Sequence, residues 1–314
     1  MSGLAVALLI AAIALPHLLR LSAVEPSTAA LTWAANLALR ALAGVLIVVY
    51  LVLYLPSTGI FAALTHWCWH TLLPVHLGLN GHSVGDVATV LPIAVIGVSV
   101  FWAGVGLLRV ARSVRRLVTR AVLGAGPRDS LIVGGPEILV AAAGLARPKV
   151  LVSAGALIRL DDEELAAGLD HERGHIARGH RWILIYAEIC RALGIFVPGT
   201  RRAVAELNLH LERDADRWAI ARRHDRLALA SAIVKAAASP TRSSPPFAAL
   251  GGRRDHLTRR IEDLVDTETP PRRAVRVLAV GSSVLTFALA ASVPATVAAG
   301  LSLPAAATHD QCPE

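Results

Sequence analysis

The stretch Asp161-Asp162-Glu163-Glu164-Leu165-Ala166-Ala167-Gly168-Leu169-Asp170-His171-Glu172-Arg173-Gly174-His175 opens as a helix opens and closes on a pattern with chemical meaning. Asp161 can cap the helix, Glu164 three positions on completes a capping box, and an acidic first turn suits the positive end of the helix dipole. The pattern predicts a helix over Asp162–His180. On it His171 and His175, four apart, share one face one turn apart, so both imidazoles can reach one metal ion. Glu172 stands beside them as a base for water.

A catalytic zinc needs a third protein ligand and one open position. Toward the carboxyl end, Glu212-Arg213-Asp214-Ala215-Asp216 lies on a second predicted helix, Arg201–Arg223. Glu212 can be that third ligand, and Asp216, one turn later, can orient a ligand histidine. His180, five residues past His175, turns off the shared face, and His210, two before Glu212, points nearly opposite to it. Both are expected to be ordinary polar surface or packing histidines.

Around these helices, Leu131–Val133, Ile138–Ala142 and Lys149–Ser153 are short apolar runs separated by Gly134-Gly135-Pro136, Gly144 and Pro148, and they predict a small sheet. The strand Lys149, Val150, Leu151, Val152, Ser153 is expected to offer its edge to an extended substrate. Trp182–Val197 is apolar but carries Glu188 and Arg191, and its length suits either a buried helix or one that dips into a membrane. A Pro/Ser-rich connection, Ser239–Pro246, leads to an amphipathic stretch, His256–Val265.

Beyond this region the chain is greasy: 54% of its 314 residues are apolar and only 17% charged, which is outside the range of an ordinary soluble enzyme. The apolar excess falls in blocks 3–21, 41–55, 87–108 and 275–300, read as four transmembrane helices. The second block is marginal and reaches spanning length if it begins near Leu37, with Arg40 snorkelling to the interface. The first lacks a positive leading region and is expected to be retained rather than cleaved. Only Arg20 and Arg40 of the 31 Lys and Arg precede Arg109, and none follows Arg276. The positive-inside rule then places the middle region in the cytoplasm and both termini outside.

A formal charge of +8 is compatible with nucleic acid as a partner, but no recognition motif accompanies it. Arg109, Arg112, Arg115, Arg116 and Arg120 cluster where a helix leaves the membrane, which suits anionic headgroups, so a lipid bilayer is the expected partner and direct nucleic-acid binding is not. Of the three cysteines, Cys68 and Cys312 fall on the expected outer side, where a disulfide can persist, and Cys190 is expected to be a buried apolar residue. The expected outer segment Thr65–His82 holds His66, His70, His76 and His82 with Trp67 and Trp69. It suits an interfacial anchor or the entry point of a signal.

The run from Pro148 to Trp182, with the strand Lys149–Ser153, Ala154-Gly155-Ala156-Leu157, Glu163-Glu164-Leu165 and His171-Glu172-Arg173-Gly174-His175, resembles the BlaR/MecR group of membrane metallopeptidases. Phe196-Val197-Pro198, Glu212 with Asp216, and Arg259-Arg260-Ile261 with Leu264 extend the resemblance through about residue 265. It implies a mainly α membrane protein, four transmembrane helices with an inserted α+β zincin domain of the gluzincin kind. The expected parts are 1–109 with three spans, 110–273 as a cytoplasmic zinc metallopeptidase domain, and 274–314 with a fourth span and a short external tail. The resemblance further implies Zn2+ on His171, His175 and Glu212, Glu172 as the catalytic base, and signalling by cleavage of a small winged-helix repressor or of the protein itself.

Two features depart from the group. No Ser-x-x-Lys follows the last apolar block, so direct penicillin binding is not expected, and His180 stands where many relatives have an acidic residue. A housekeeping protease of the HtpX or CAAX-processing type shares the same motifs. A non-catalytic zinc-binding receptor would not need Glu172.

Overall fold

The structure is a computed structural model that describes residues 3–19, 21–54, 81–120, 122–239 and 254–266, with 277, 280 and 281 beyond them. Three long helices come first: α1 (Gly3–Leu18), α2 (Pro26–Tyr54) and α3 (Gly81–Arg120). Strands β1 (Val122–Ala125), β2 (Leu131–Val133), β3 (Val140–Ala143) and β4 (Lys149–Ser153) follow, then α4 (Ala154–Arg159), α5 (Asp162–Ala177), α6 (His180–Leu193), α7 (Thr200–Ile220), α8 (Arg226–Ala238) and α9 (Arg254–Val265). The fold is mainly helical with one small mixed sheet.

Two described helices, Pro26–Val52 and Val90–Arg116, are long and apolar enough to cross a membrane, while Leu9–Leu18 in α1 is shorter. They differ in surroundings. The stretch in α3 exposes almost all of its surface, whereas nearly half of that in α2 is covered by the rest of the protein. Block 275–300 lies outside the described residues apart from Val277, Val280 and Gly281, as do Cys68, Cys312 and most of the Thr65–His82 segment.

The second apolar block is embedded differently from expectation. Helix α2 starts at Pro26, and its first half packs Ala30, Trp33, Leu37 and Ala41 against Ala187 and Cys190 of α6 and Ala203, Leu207 and Leu211 of α7. Leu37 and Leu207 have no accessible surface, and burying each contributes roughly 1.5–3 kcal/mol. Arg40 therefore does not snorkel. It is 1% exposed, and its guanidinium donates to Asn36 Oδ1 at 2.7 Å and to the carbonyls of Pro198 and Ile13 at 2.5 and 3.2 Å. The packed helices supply the partners that headgroups would otherwise have to provide.

The sheet order is β1-β2-β4-β3, with β4 parallel to β2 and antiparallel to β3. Strand β4 is the core strand: Leu151 and Val152 are fully buried, and the Ser153 hydroxyl caps α4 through the Ala156 N–H while donating to the Glu137 carbonyl. Both flanks of Lys149–Ser153 are occupied by neighbours, so this strand has no free edge for a substrate. The edge beside α5 belongs to β3.

Helix α5 begins with a capping box, the Asp161 side chain accepting from the N–H groups of Glu163 and Glu164 and Glu164 returning to the Asp161 N–H. It stops at Ala177, three residues before the expected His180, because Gly179 sits at φ 66° and turns the chain into α6. Glycine reaches that left-handed conformation without steric cost.

Candidate metal centre

The α5–α7 crossing sets the site. Gly174 faces Trp218, where a methyl group would meet the indole at 3.0 Å, so the glycine inside the His-Glu-x-x-His run lets the two helices approach. The approach brings together what the sequence placed 37 residues apart. His175 Nε2 lies 3.2 Å from His171 Nε2, and the two Glu212 oxygens lie 3.5 Å from one imidazole each. All three ligand atoms fall within 4.8 Å of one another. Four-coordinate bonds of 2.0–2.1 Å give ligand–ligand edges of about 3.3–3.4 Å. The triangle therefore has the dimensions of one face of such a site.

The far side of the His175 imidazole fixes which of its lone pairs faces the triangle. His180 Nε2 meets Asp214 Oδ2 at 3.2 Å; a carboxylate only accepts, so this nitrogen carries the proton and His180 Nδ1 is a lone pair. At 2.8 Å that lone pair accepts from His175 Nδ1–H, leaving the His175 Nε2 lone pair directed toward Glu212. On the other ligand, Asp216 Oδ1 lies 2.8 Å from His171 Nδ1, close enough for an ion pair although off the line of an aligned hydrogen bond. The His175 lone pair and the Glu212 carboxylate thus converge beside His171 Nε2, an arrangement that a shared proton or a metal ion can hold together.

The electrostatics agree. Burial alone would lower the pKa of His171, but Asp216 and Glu212 outweigh it and raise it to about 10, so this corner favours positive charge. His175, away from Asp216, is pushed by burial down to about 3. Burial works against the Glu212 carboxylate too, yet Arg260 and the two histidines hold it well below the usual carboxylate range. The donor set and its field fit a dication.

Glu172 does not join the triangle. Its Oε2 accepts from the Ala142 N–H of β3 at 2.7 Å, and burial, with His171 and this N–H opposing, pushes its pKa up to about 7. A carboxylate balanced near neutrality can take a proton and return it.

Residues 128–264 match the family model described as BlaR1 peptidase M56. Over those residues the chain is similar to the peptidase domain of BlaR/MecR-type proteins. Set against curated proteins and solved structures, the chain matches none. That likeness implies a metallopeptidase domain, and with it protein substrates, and all of α5, α6, α7 and the sheet's last three strands lie within the matched residues.

Several functional neighbours were not legible beforehand. His180, expected at the surface or in packing, is 2% exposed and bonds a candidate ligand. A helix continued from α5 through His180 would turn that residue off the ligand face; the Arg178-Gly179 pair, a helix stop, marks the break that lets it turn back. His210 is also buried, 1% exposed, with Nδ1 3.4 Å from Arg213 Nη1 and away from the triangle.

Arg260 is the other unforeseen participant. From α9 it reaches Glu212 Oε2 at 2.7 Å and clamps Asp216 through Nε at 2.9 Å and Nη2 at 2.7 Å. Arg259 with Glu206, and Asp263 with Arg213, complete a row of ion pairs between α9 and α7. Nothing local in Arg259-Arg260 announces a contact with residues more than forty positions away.

Proposed function

We propose that this chain is a membrane-embedded, zinc-dependent endopeptidase that transmits a signal by cleaving a protein substrate, either a small winged-helix repressor or the chain itself. The carrying observation is the convergence of His171 Nε2, His175 Nε2 and Glu212 on one point, with the non-ligating Glu172 carboxylate beside them. In this reading those three residues hold the metal, Asp216 orients His171, and Glu172 is the catalytic base.

When bound, zinc would supply Lewis acidity to the scissile carbonyl and to the attacking water. Glu172 takes the water proton and passes it to the leaving amine. An extended substrate pairs along the open edge of β3, where Ala142 directs its N–H away from β4 and toward the site. A substrate carbonyl that accepts from Ala142 releases Glu172 for its role as base.

The membrane reading places α1, α2, α3 and the block 275–300 as spans with the peptidase domain on the cytoplasmic side. The apolar stretches of α2 and α3 and the arginines from Arg109 to Arg120 support it. The test is proteolysis of an unfolded protein such as casein by the purified chain after chelation and after zinc is restored. Cleavage is expected only in the second case; equal cleavage in both would overturn the metal assignment.

A further inference from the structure

We propose that the cavity enclosed by the end of α1, the first half of α2, α7 and α9 is a binding site for a phosphate-class anion, supplied by a phospholipid headgroup or as free phosphate. It has a volume of about 220 Å3, far above the roughly 10–15 Å3 that a single water requires. Its wall draws on His17, Trp33, Arg202, Glu206, His210 and Arg259.

The wall carries ring and guanidinium donors. Trp33 is 3% exposed, and its indole N–H, a donor with no acceptor role, has no hydrogen-bond partner among the described residues. The nitrogen itself is covered by its neighbours, so Trp33 meets the cavity with its ring and not with this donor. The His17 ring packs edge-on against Trp33, with centroids 4.8 Å apart. Arg40 Nη2, which can only donate, lies 2.8 Å from His17 Nε2 and so leaves the ring proton on Nδ1. Arg213 does the same to His210 at 3.4 Å, leaving that proton on Nε2.

Charge points the same way. Arg40, Arg202, Arg213 and Arg259 stand at or directly behind the wall against the carboxylates Glu206 and Asp263. Glu206 is taken by Arg259 at 3.1–3.3 Å and Asp263 by Arg213, whereas Arg202 makes no hydrogen bond or ion pair with a described residue. Two uncompensated guanidinium groups and the ring N–H groups of His17 and His210 around one polar cavity suit a tetrahedral oxyanion better than a neutral or cationic guest. The cavity touches α7 and α9, which carry Glu212 and Arg260, so its occupant would brace the amino-terminal helices against the two helices that hold the candidate metal centre.

The test uses the purified full-length chain, with thermal unfolding followed against added phosphatidylglycerol in a neutral detergent, and separately against sodium phosphate at constant ionic strength. Arg202→Gln, at an exposed position, and Arg259→Gln, which removes the other guanidinium of the wall, are run alongside. A saturable rise in midpoint is expected with at least one probe, and its half-saturation concentration is expected to increase about tenfold in a variant. A response to the lipid alone assigns the headgroup, and a response to inorganic phosphate assigns the free anion. No saturable response to either probe, or equal half-saturation in wild type and both variants, overturns the proposal.

Discussion

The Nδ1 atoms of His175 and His180 stand 2.8 Å apart, and the opposite nitrogen of His180 meets Asp214 at 3.2 Å. This chain of hydrogen bonds holds one candidate ligand in a single tautomer and orientation. Asp214→Ala or His180→Ala is expected to weaken zinc affinity about 10–100-fold, measured by competition with a chromophoric chelator. His180→Asp, which restores an acceptor toward His175 Nδ1, is expected to recover part of that loss. Wild-type affinity in both alanine variants would show that the chain does not act on the ligand.

Arg260 sits 2.7 Å from Glu212 and 2.7 Å from Asp216, where it neutralises two carboxylates that a dication would also neutralise. Arg260→Gln is expected to lower the melting temperature of the metal-free protein, since removing one partner leaves buried charge uncompensated. The further rise in melting temperature on adding zinc is expected to be larger in the variant than in wild type. An equal rise in both would mean that Arg260 and the metal do not compete for the same field.

Ala142 donates its N–H to Glu172 at 2.7 Å and not to β4. Ala142→Pro removes that donor without deleting a ladder hydrogen bond. It is expected to lower kcat/KM about tenfold or more with zinc content unchanged, because the base and the substrate strand both lose an anchor. Unaltered kcat/KM would place the substrate elsewhere than on β3.

Glu164 gives the pH dependence of stability a specific contributor. It is 3% exposed; burial pushes its pKa up, but Lys235 at 2.6 Å, the Ser231 hydroxyl at 2.5 Å and the Asp161 N–H together hold it below the ordinary value. A depressed folded pKa means stability that is present above the unfolded pKa, about 4.3, and lost as pH falls through the folded one. The difference in melting temperature between wild type and Glu164→Gln is therefore expected to be largest near neutrality and to shrink below about pH 4. A constant difference across that range would contradict the assignment.

The contacts that were readable in advance are those set by short-range periodicity. Asp161 and Glu164 announced the start of α5, and the four-residue spacing of His171 and His175 announced a shared face, because both depend on one helix alone. Long-range geometry was not readable in the same way. Strand β4 looks like a substrate edge when β3 and β2 are not yet placed on either side of it. Arg40 looks like a snorkelling residue until α2 is packed on α6 and α7. His180 and Arg260 act through contacts across element boundaries, fixed by the Gly179 turn and by the docking of α9, and no sequence period encodes either.

The most direct test compares metal content and peptidase activity in the same preparations of wild type, His175→Ala and Glu172→Gln. Wild type is expected to hold one zinc per chain and to cleave substrate, and His175→Ala to lose both. Glu172→Gln is expected to keep its zinc while losing activity by about 100-fold or more. Full zinc occupancy in His175→Ala, or undiminished cleavage by Glu172→Gln, would contradict the account.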